Sequence, residues 1–126
     1  MPINRALFDQ GRAKYCLQCA EDAKSNGSIT YSDYVSYVKK IPMMLKTNGL
    51  GLTIAFVNIK GGAYEIIKEQ VNKWFQEEIG SKVFLLQPDI KLNDVIPQMN
   101  SNEYRLVTYE LLSLFNWLRR YADGLK

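Results

Sequence analysis

From Thr47 to Ile59 the chain carries no charged residue. Around this stretch the apolar side chains recur at helical spacing on two sides: Leu45, Leu52, Phe56 and Ile59 on one, Met43, Leu50, Ile54 and Val57 on the other. A helix apolar on both sides has to be wrapped by other helices, so the pattern predicts a central, buried helix from Pro42 to about Ile59. Pro42 suits the first turn, where a missing N–H costs nothing. Gly49 and Gly51 inside such a helix cost about 1 kcal/mol each relative to alanine. Close approach of another backbone, from a neighbouring helix or a nucleic-acid strand, would offset that cost.

The same reading supplies the other elements. A first helix is predicted from Asn4 to Lys24, with Ala6, Ala13, Leu17 and Ala20 facing inward and Asn26-Gly27 ending it. Thr30-Tyr31-Ser32-Asp33 offers a capping-box-like start to a second helix that closes near Lys40, before the central one. After Gly61-Gly62 an amphipathic helix runs from Ala63 to about Ile79, with Ile67, Val71 and Trp74 inward and Glu69 and Lys73 pairing four residues apart. Gly80-Ser81 ends it. Val83-Phe84-Leu85-Leu86 has the composition of a short strand, but no second strand exists to pair with it, so it reads as an apolar connector clamped on the helices. A short helix spans Leu92–Met99, disturbed at Pro97. Asn100, with Glu103 three residues on, caps a final helix whose stripe is Tyr104, Val107, Leu111, Leu114, Leu118 and Tyr121. The fold class expected is all-α: one domain over residues 1–126, a bundle of five or six helices around the central one.

Composition then removes whole classes of function. The 126 residues contain no histidine, so the commonest general base and metal ligand are both missing, and Ser–His or Cys–His nucleophile pairs are impossible. Cys16 and Cys19 form a C-x-x-C spacing inside a helix, without the two further ligands that structural zinc needs or the strand before it that a redox pair needs; two small thiols near the buried side fit better. Glu77, Glu78 and Asp89 read as solvated acids. Asn48-Gly49-Leu50-Gly51 lacks the rest of a phosphate-loop pattern. No catalytic residues, cofactor or metal site are expected, and the chain is read as a non-enzyme. The longest uncharged run is too short to cross a bilayer, which takes about 20 apolar residues. With no secretory leader in view, the expected location is cytoplasmic.

The formal charge of +3 is modest, but all of the excess lies between Tyr31 and Lys60, where Lys39, Lys40, Lys46 and Lys60 face the single acid Asp33. Tyr34, Tyr37 and Val38 accompany the first three lysines. On the last helix Arg105 and Arg119 share one side with Tyr109, and Arg120 follows. Cations at this density can neutralise phosphates without reading bases. Solvated lysines account equally for the central excess, and Arg119 and Arg120 could instead complement the dipole at the end of their helix.

Lys39 to Phe56, "KKIPMMLKTNGLGLTIAF", resembles the signature of the small helical subunit of type III-B CRISPR effector (Cmr) complexes. Glu103-Tyr104-Arg105-Leu106-Val107-Thr108 and Trp117-Leu118-Arg119-Arg120-Tyr121-Ala122 are similar to the C-terminal helix of that family, and Arg12 and Ala13 fit its first helix. The resemblance covers essentially the whole chain. It implies a non-catalytic subunit of an RNA-guided, RNA-targeting antiviral complex, stacked with further copies of itself as a minor filament beside the backbone that carries the guide. The implied partners are other Cmr subunits, CRISPR RNA and target RNA, with Lys39, Lys40, Lys46, Arg105, Arg119 and Arg120 as candidate RNA contacts. Two other classes stay open: a protein-only adaptor using an aromatic stripe, and a DNA-binding helical regulator, although no recognition helix rich in Arg, Asn and Gln is evident.

Overall fold

A computed structural model describes residues 5–76 and 84–126, with side chains from residue 9 onward. Five α-helices follow one another: α1 (Arg5–Ser25), α2 (Tyr31–Ile59), α3 (Ala63–Gln76), α4 (Leu92–Val95), which continues as a 3₁₀ turn over Ile96–Gln98, and α5 (Ser101–Gly124). No strand occurs among the described residues, so the all-α expectation holds. Helix α2 runs through the middle, packed chiefly by α5 and α3, with α4 and α1 making smaller contacts.

Rather than two helices meeting at Ile41, α2 is continuous across Pro42. Proline inside a helix removes a hydrogen bond and crowds the carbonyl four residues back, at about 3 kcal/mol. Tyr34, Val35, Val38, Ile41 and Leu45 nevertheless form one buried stripe spanning that point. Burying each large apolar side chain contributes about 1.5–3 kcal/mol, so the uninterrupted stripe outweighs the local penalty. The helix breaks later, at Gly49, whose dihedrals (φ 83°, ψ 169°) are far from helical. Thr30 precedes α2 in extended conformation without a side-chain cap; its carbonyl accepts from the N–H groups of Asp33 and Tyr34 instead.

The expectation of burial on both sides of α2 is overturned. Leu45, Leu50, Ile54 and Val57 are buried, whereas Met43, Leu52 and Ile59 are 68%, 69% and 81% exposed. Beyond Gly49 the surrounding helices leave Leu52 and Ile59 exposed on one side of α2, and Met43 is exposed separately before the break. Nor do Gly49 and Gly51 admit a second backbone: a Cβ at either would meet only side-chain atoms, chiefly the Tyr104 hydroxyl at 3.4 and 3.5 Å. Gly49 is needed for its positive φ.

The inward face of α1 is also rotated from expectation. Cys16, Cys19, Ala20 and Ala23 are buried, Ala13 is half-buried and Leu17 is 38% exposed; Ala6 lies where side chains are not described. Two contacts with α5 fix this rotation, one from Arg12 to Glu110 and one from the Cys16 thiol to the Leu114 carbonyl at 3.2 Å. Gln70 of α3 joins three helices. Its carbonyl accepts from Tyr15, its side-chain oxygen accepts from Tyr34 (both 2.6 Å), and its amide donates to the Cys19 carbonyl at 3.1 Å.

On α3 the stripe Ile67, Val71 and Trp74 is buried as expected, while the ion pair on its wet side is Lys68 with Glu65 at 3.1 Å, not Glu69 with Lys73. Ile79, Gly80, Ser81 and Val83 lie outside the described residues. The connector beyond them is clamped as anticipated, with Leu86 buried and its N–H donating to the Phe75 carbonyl at 3.0 Å. The capping box forms: Asn100 accepts from the Glu103 N–H at 2.8 Å and the Glu103 side chain accepts from the Asn100 N–H at 3.1 Å. Val107, Leu111, Leu114 and Leu118 are buried along α5, with Tyr104 and Tyr121 at the margins of the stripe.

Burial pushes the Cys19 thiol up to about 12 and raises the ionisations of Cys16 and Tyr34 as well. Each folded pKa lies above its unfolded value, so the neutral groups contribute full stability below pH about 8.5. That contribution falls as pH climbs towards 12. The melting temperature should therefore decline steadily above pH 9, and neither thiol should react with a disulfide reagent at pH 8 until the chain is unfolded. Stoichiometric labelling of the native protein would contradict this.

Candidate nucleic-acid interface

Helices α2 and α5 lie side by side and carry most of the predicted cations. Lys39 and Lys46 are seven residues apart, two turns or about 10 Å along α2, and both face α5. Opposite them, Leu112, Ser113, Asn116 and Arg119 of α5 join Pro42 and Lys46 in lining one surface recess. A second recess is lined by Lys39, Arg119, Arg120 and Asp123. Arg119 belongs to both, so Lys39, Lys46, Arg119 and Arg120 form one continuous basic ridge. All four side chains are exposed.

Asp123 is the acid of this ridge. Its carboxylate accepts from Lys39 at 2.9 Å and approaches Lys126 at 3.6 Å. The hydrogen bond and charge of Lys39 hold that carboxyl below the usual range. The Arg119 guanidinium donates to the Asn116 side chain at 3.2 Å, which fixes its direction over the recess. The dipole reading of Arg119 and Arg120 does not fit, because neither falls in the last turn of α5, where that effect is confined.

The remaining candidates sit apart. Lys40 follows Lys39 but points about 100° away around the helix, with its ammonium 5.6 Å from the centre of the Tyr37 ring. Tyr37 stacks on Tyr64 of α3 with centroids 4.1 Å apart, Phe56 meets Tyr64 edge-on at 5.3 Å, and Lys60 lies 5.5 Å over Phe56. Lys40 and Lys60 therefore belong to an aromatic edge between α2 and α3. Arg105 is about 21 Å up α5 from Arg119 and donates to Asn102 at 3.0 Å; exposed Tyr109 is one turn away. Arg105 and Arg119 share a side of α5 but not a site.

Two features escape the sequence reading. Asp123 is one: nothing local marks it as the partner of a lysine 84 positions away. The other is structural. Glu110 is 3% exposed and accepts a two-pronged pair from Arg12 (2.8 and 2.7 Å) and the Trp74 indole N–H (3.0 Å). Asp9 accepts from Arg12 at 3.3 Å and from the Trp117 indole at 2.9 Å. The hydrogen bond to Glu110 raises the Arg12 pKa still further. An acid between Val107 and Leu111 on an apolar stripe is the available signal, since such a position demands a buried partner.

No group of three or more metal-ligating side chains exists among the described residues, and none of their helices is long and apolar enough to cross a membrane. The ridge offers positive charge from four side chains and the Asn116 amide, with Asp123 as the acid among its lining residues. That suits holding phosphates.

In overall fold the chain is similar to a CRISPR-associated Cmr5 family protein from Thermus thermophilus, with a TM-score of 0.76 and 18% sequence identity over 94% of this chain and 99% of that one. Residues 8–125 match the family described as "CRISPR-associated protein (Cas_Cmr5)". The chain thus belongs to the Cmr5 family, the small-subunit family of the CRISPR type III-B Cmr effector complex.

Proposed function

We propose that this chain is a non-catalytic, cytoplasmic small subunit whose copies stack as a minor filament and hold the backbone of guide and target RNA. The observation that carries this reading is the convergence of Lys39, Lys46, Arg119 and Arg120 from two helices onto one ridge. Lys40 and Arg105 face other surfaces and make separate phosphate contacts in the assembled complex.

Four cations with one acid among them neutralise only a few phosphates. Non-specific affinity on that scale is weak, about 10⁻⁴–10⁻⁶ M. Stacking supplies what a single copy lacks, because neighbouring copies on one RNA raise the effective concentration of each contact. Head-to-tail stacking uses two different patches per copy and leaves the filament open. The exposed Leu52 and Ile59, which share one side of α2 beyond Gly49, support a protein contact on a surface other than the ridge.

Salt separates this reading from a protein-only adaptor. If four phosphates are engaged, the logarithm of RNA affinity should fall with a slope of about −3 against the logarithm of salt concentration. A flat response would favour the adaptor. Purified chain should also leave single-stranded RNA intact with any divalent metal, since it has no histidine and its described residues hold no cluster of carboxylates able to bind two metals. Cleavage that co-elutes with the protein through repurification would overturn the non-catalytic reading.

A further inference from the structure

We propose that the folded chain modifies itself at Asn26: the Gly27 backbone nitrogen closes onto the Asn26 side chain, converting the asparagine to aspartate and isoaspartate. The turn between α1 and α2 brings together what that reaction needs. Gly27 has no side chain to hinder its nitrogen, and a Cβ built there would meet nothing within 4 Å. Its N–H donates to no group among the described residues. The side-chain carbonyl oxygen of Asn26 accepts from the Ser28 N–H at 2.9 Å and from the Ser28 hydroxyl at 2.6 Å. Gly27 and Ser28 are exposed, so water and hydroxide reach the turn.

In the first step hydroxide takes the Gly27 amide proton as the nitrogen attacks Cγ of Asn26. Negative charge builds on Oδ1, where the two Ser28 donors already point, an arrangement that stabilises an oxyanion. Collapse completes the N–Cγ bond of a five-membered imide ring and breaks the bond from Cγ to Nδ2, which takes a proton from water and leaves as ammonia. Water then opens the ring. Attack at Cγ gives aspartate, and attack at the backbone carbonyl gives isoaspartate, whose main chain runs through the former side chain. Either product adds a carboxylate and lowers the formal charge by one from +3. The second Asn-Gly pair supplies the contrast. Asn48 keeps helical dihedrals, because Gly49 is the residue that departs from them inside α2. Ring closure needs Cβ and the next nitrogen nearly eclipsed about the Cα–C bond, which a helical ψ of about −42° does not allow. Asn26 follows the last residue of α1 and is under no such constraint. The inference rests on this turn alone and does not depend on RNA binding.

Storage of the intact, folded chain in mildly alkaline buffer, followed by acidic digestion and mass spectrometry with separation of isoaspartyl peptides, tests it. The peptide holding residue 26 should accumulate both acid forms, faster as pH rises, while the peptide holding Asn48 stays intact. Gly27→Ala should slow the change severalfold, since a methyl group hinders the attacking nitrogen. Ser28→Ala removes one donor to the developing charge and should slow it about three- to tenfold. Both variants should melt with the wild type, because the open turn accommodates either change. An Asn26 that stays unmodified in the folded wild type and reacts only once urea unfolds the chain would overturn the proposal. So would equal rates at Asn26 and Asn48, and a Ser28→Ala rate equal to wild type would overturn the part given to Ser28.

Discussion

Arg12→Met is expected to destabilise the chain by about 3–5 kcal/mol, because it strands the buried Glu110 carboxylate without its cation. The pair joins the ends of the sequence: the Arg12 guanidinium grips both carboxylate oxygens at 2.7–2.8 Å, with side-chain exposures of 16% and 1%. Trp74 donates to the same carboxylate from α3 at 3.0 Å, so three helices share one buried charge. Glu110→Gln alone leaves Arg12 its contact with the Asp9 carboxylate and should cost less than Arg12→Met. Combining the two should recover much of the loss, since a neutral amide in place of the Glu110 carboxylate can still accept from the Trp74 indole and strands no charge there. Urea unfolding of the four proteins completes the cycle. A loss under about 1 kcal/mol for Arg12→Met, or strict additivity in the double variant, would show the pair to be incidental.

What can be read from the sequence is what local rules determine. The Asn100–Glu103 box, the stripes of α3 and α5 and the disturbance at Pro97 all appear in the fold, because capping chemistry and helical spacing need no knowledge of the rest of the chain. The discrepancies lie where packing overrides local preference. Proline chemistry alone makes Pro42 a helix start, yet the buried stripe from Tyr34 to Leu45 carries α2 across it. Periodicity alone puts Leu52 and Ile59 in the core, yet they lie outside, since spacing cannot say how many neighbours surround a helix. The ridge is half legible. Its residue types are evident, but Lys39 and Lys40 are adjacent in sequence and point to different elements. Only the docking of α5 on α2 decides that Lys39 joins Arg119 while Lys40 joins Tyr37.

The second large effect concerns RNA. Lys39→Glu, Lys46→Glu and Arg119→Glu together reverse three of the four ridge charges, on side chains exposed enough to leave the fold intact. Each lost phosphate contact removes close to one unit of salt slope. The triple variant should thus bind RNA about 10–100-fold more weakly at low salt, with the difference closing as salt rises and the wild type loses the same contacts. Lys39→Glu also faces Asp123, whose carboxylate lies beside the place the lysine ammonium occupied, so repulsion adds to the loss.

Whether the ridge holds RNA is decided by target-RNA retention in the reconstituted effector complex across a salt series, with wild-type subunit against this triple variant. Both subunits should incorporate equally, and the variant complex should retain RNA more weakly, with a salt slope flatter by about 2–3. Equal retention with the same slope would refute the assignment, and would place the ridge against a protein neighbour or open solvent.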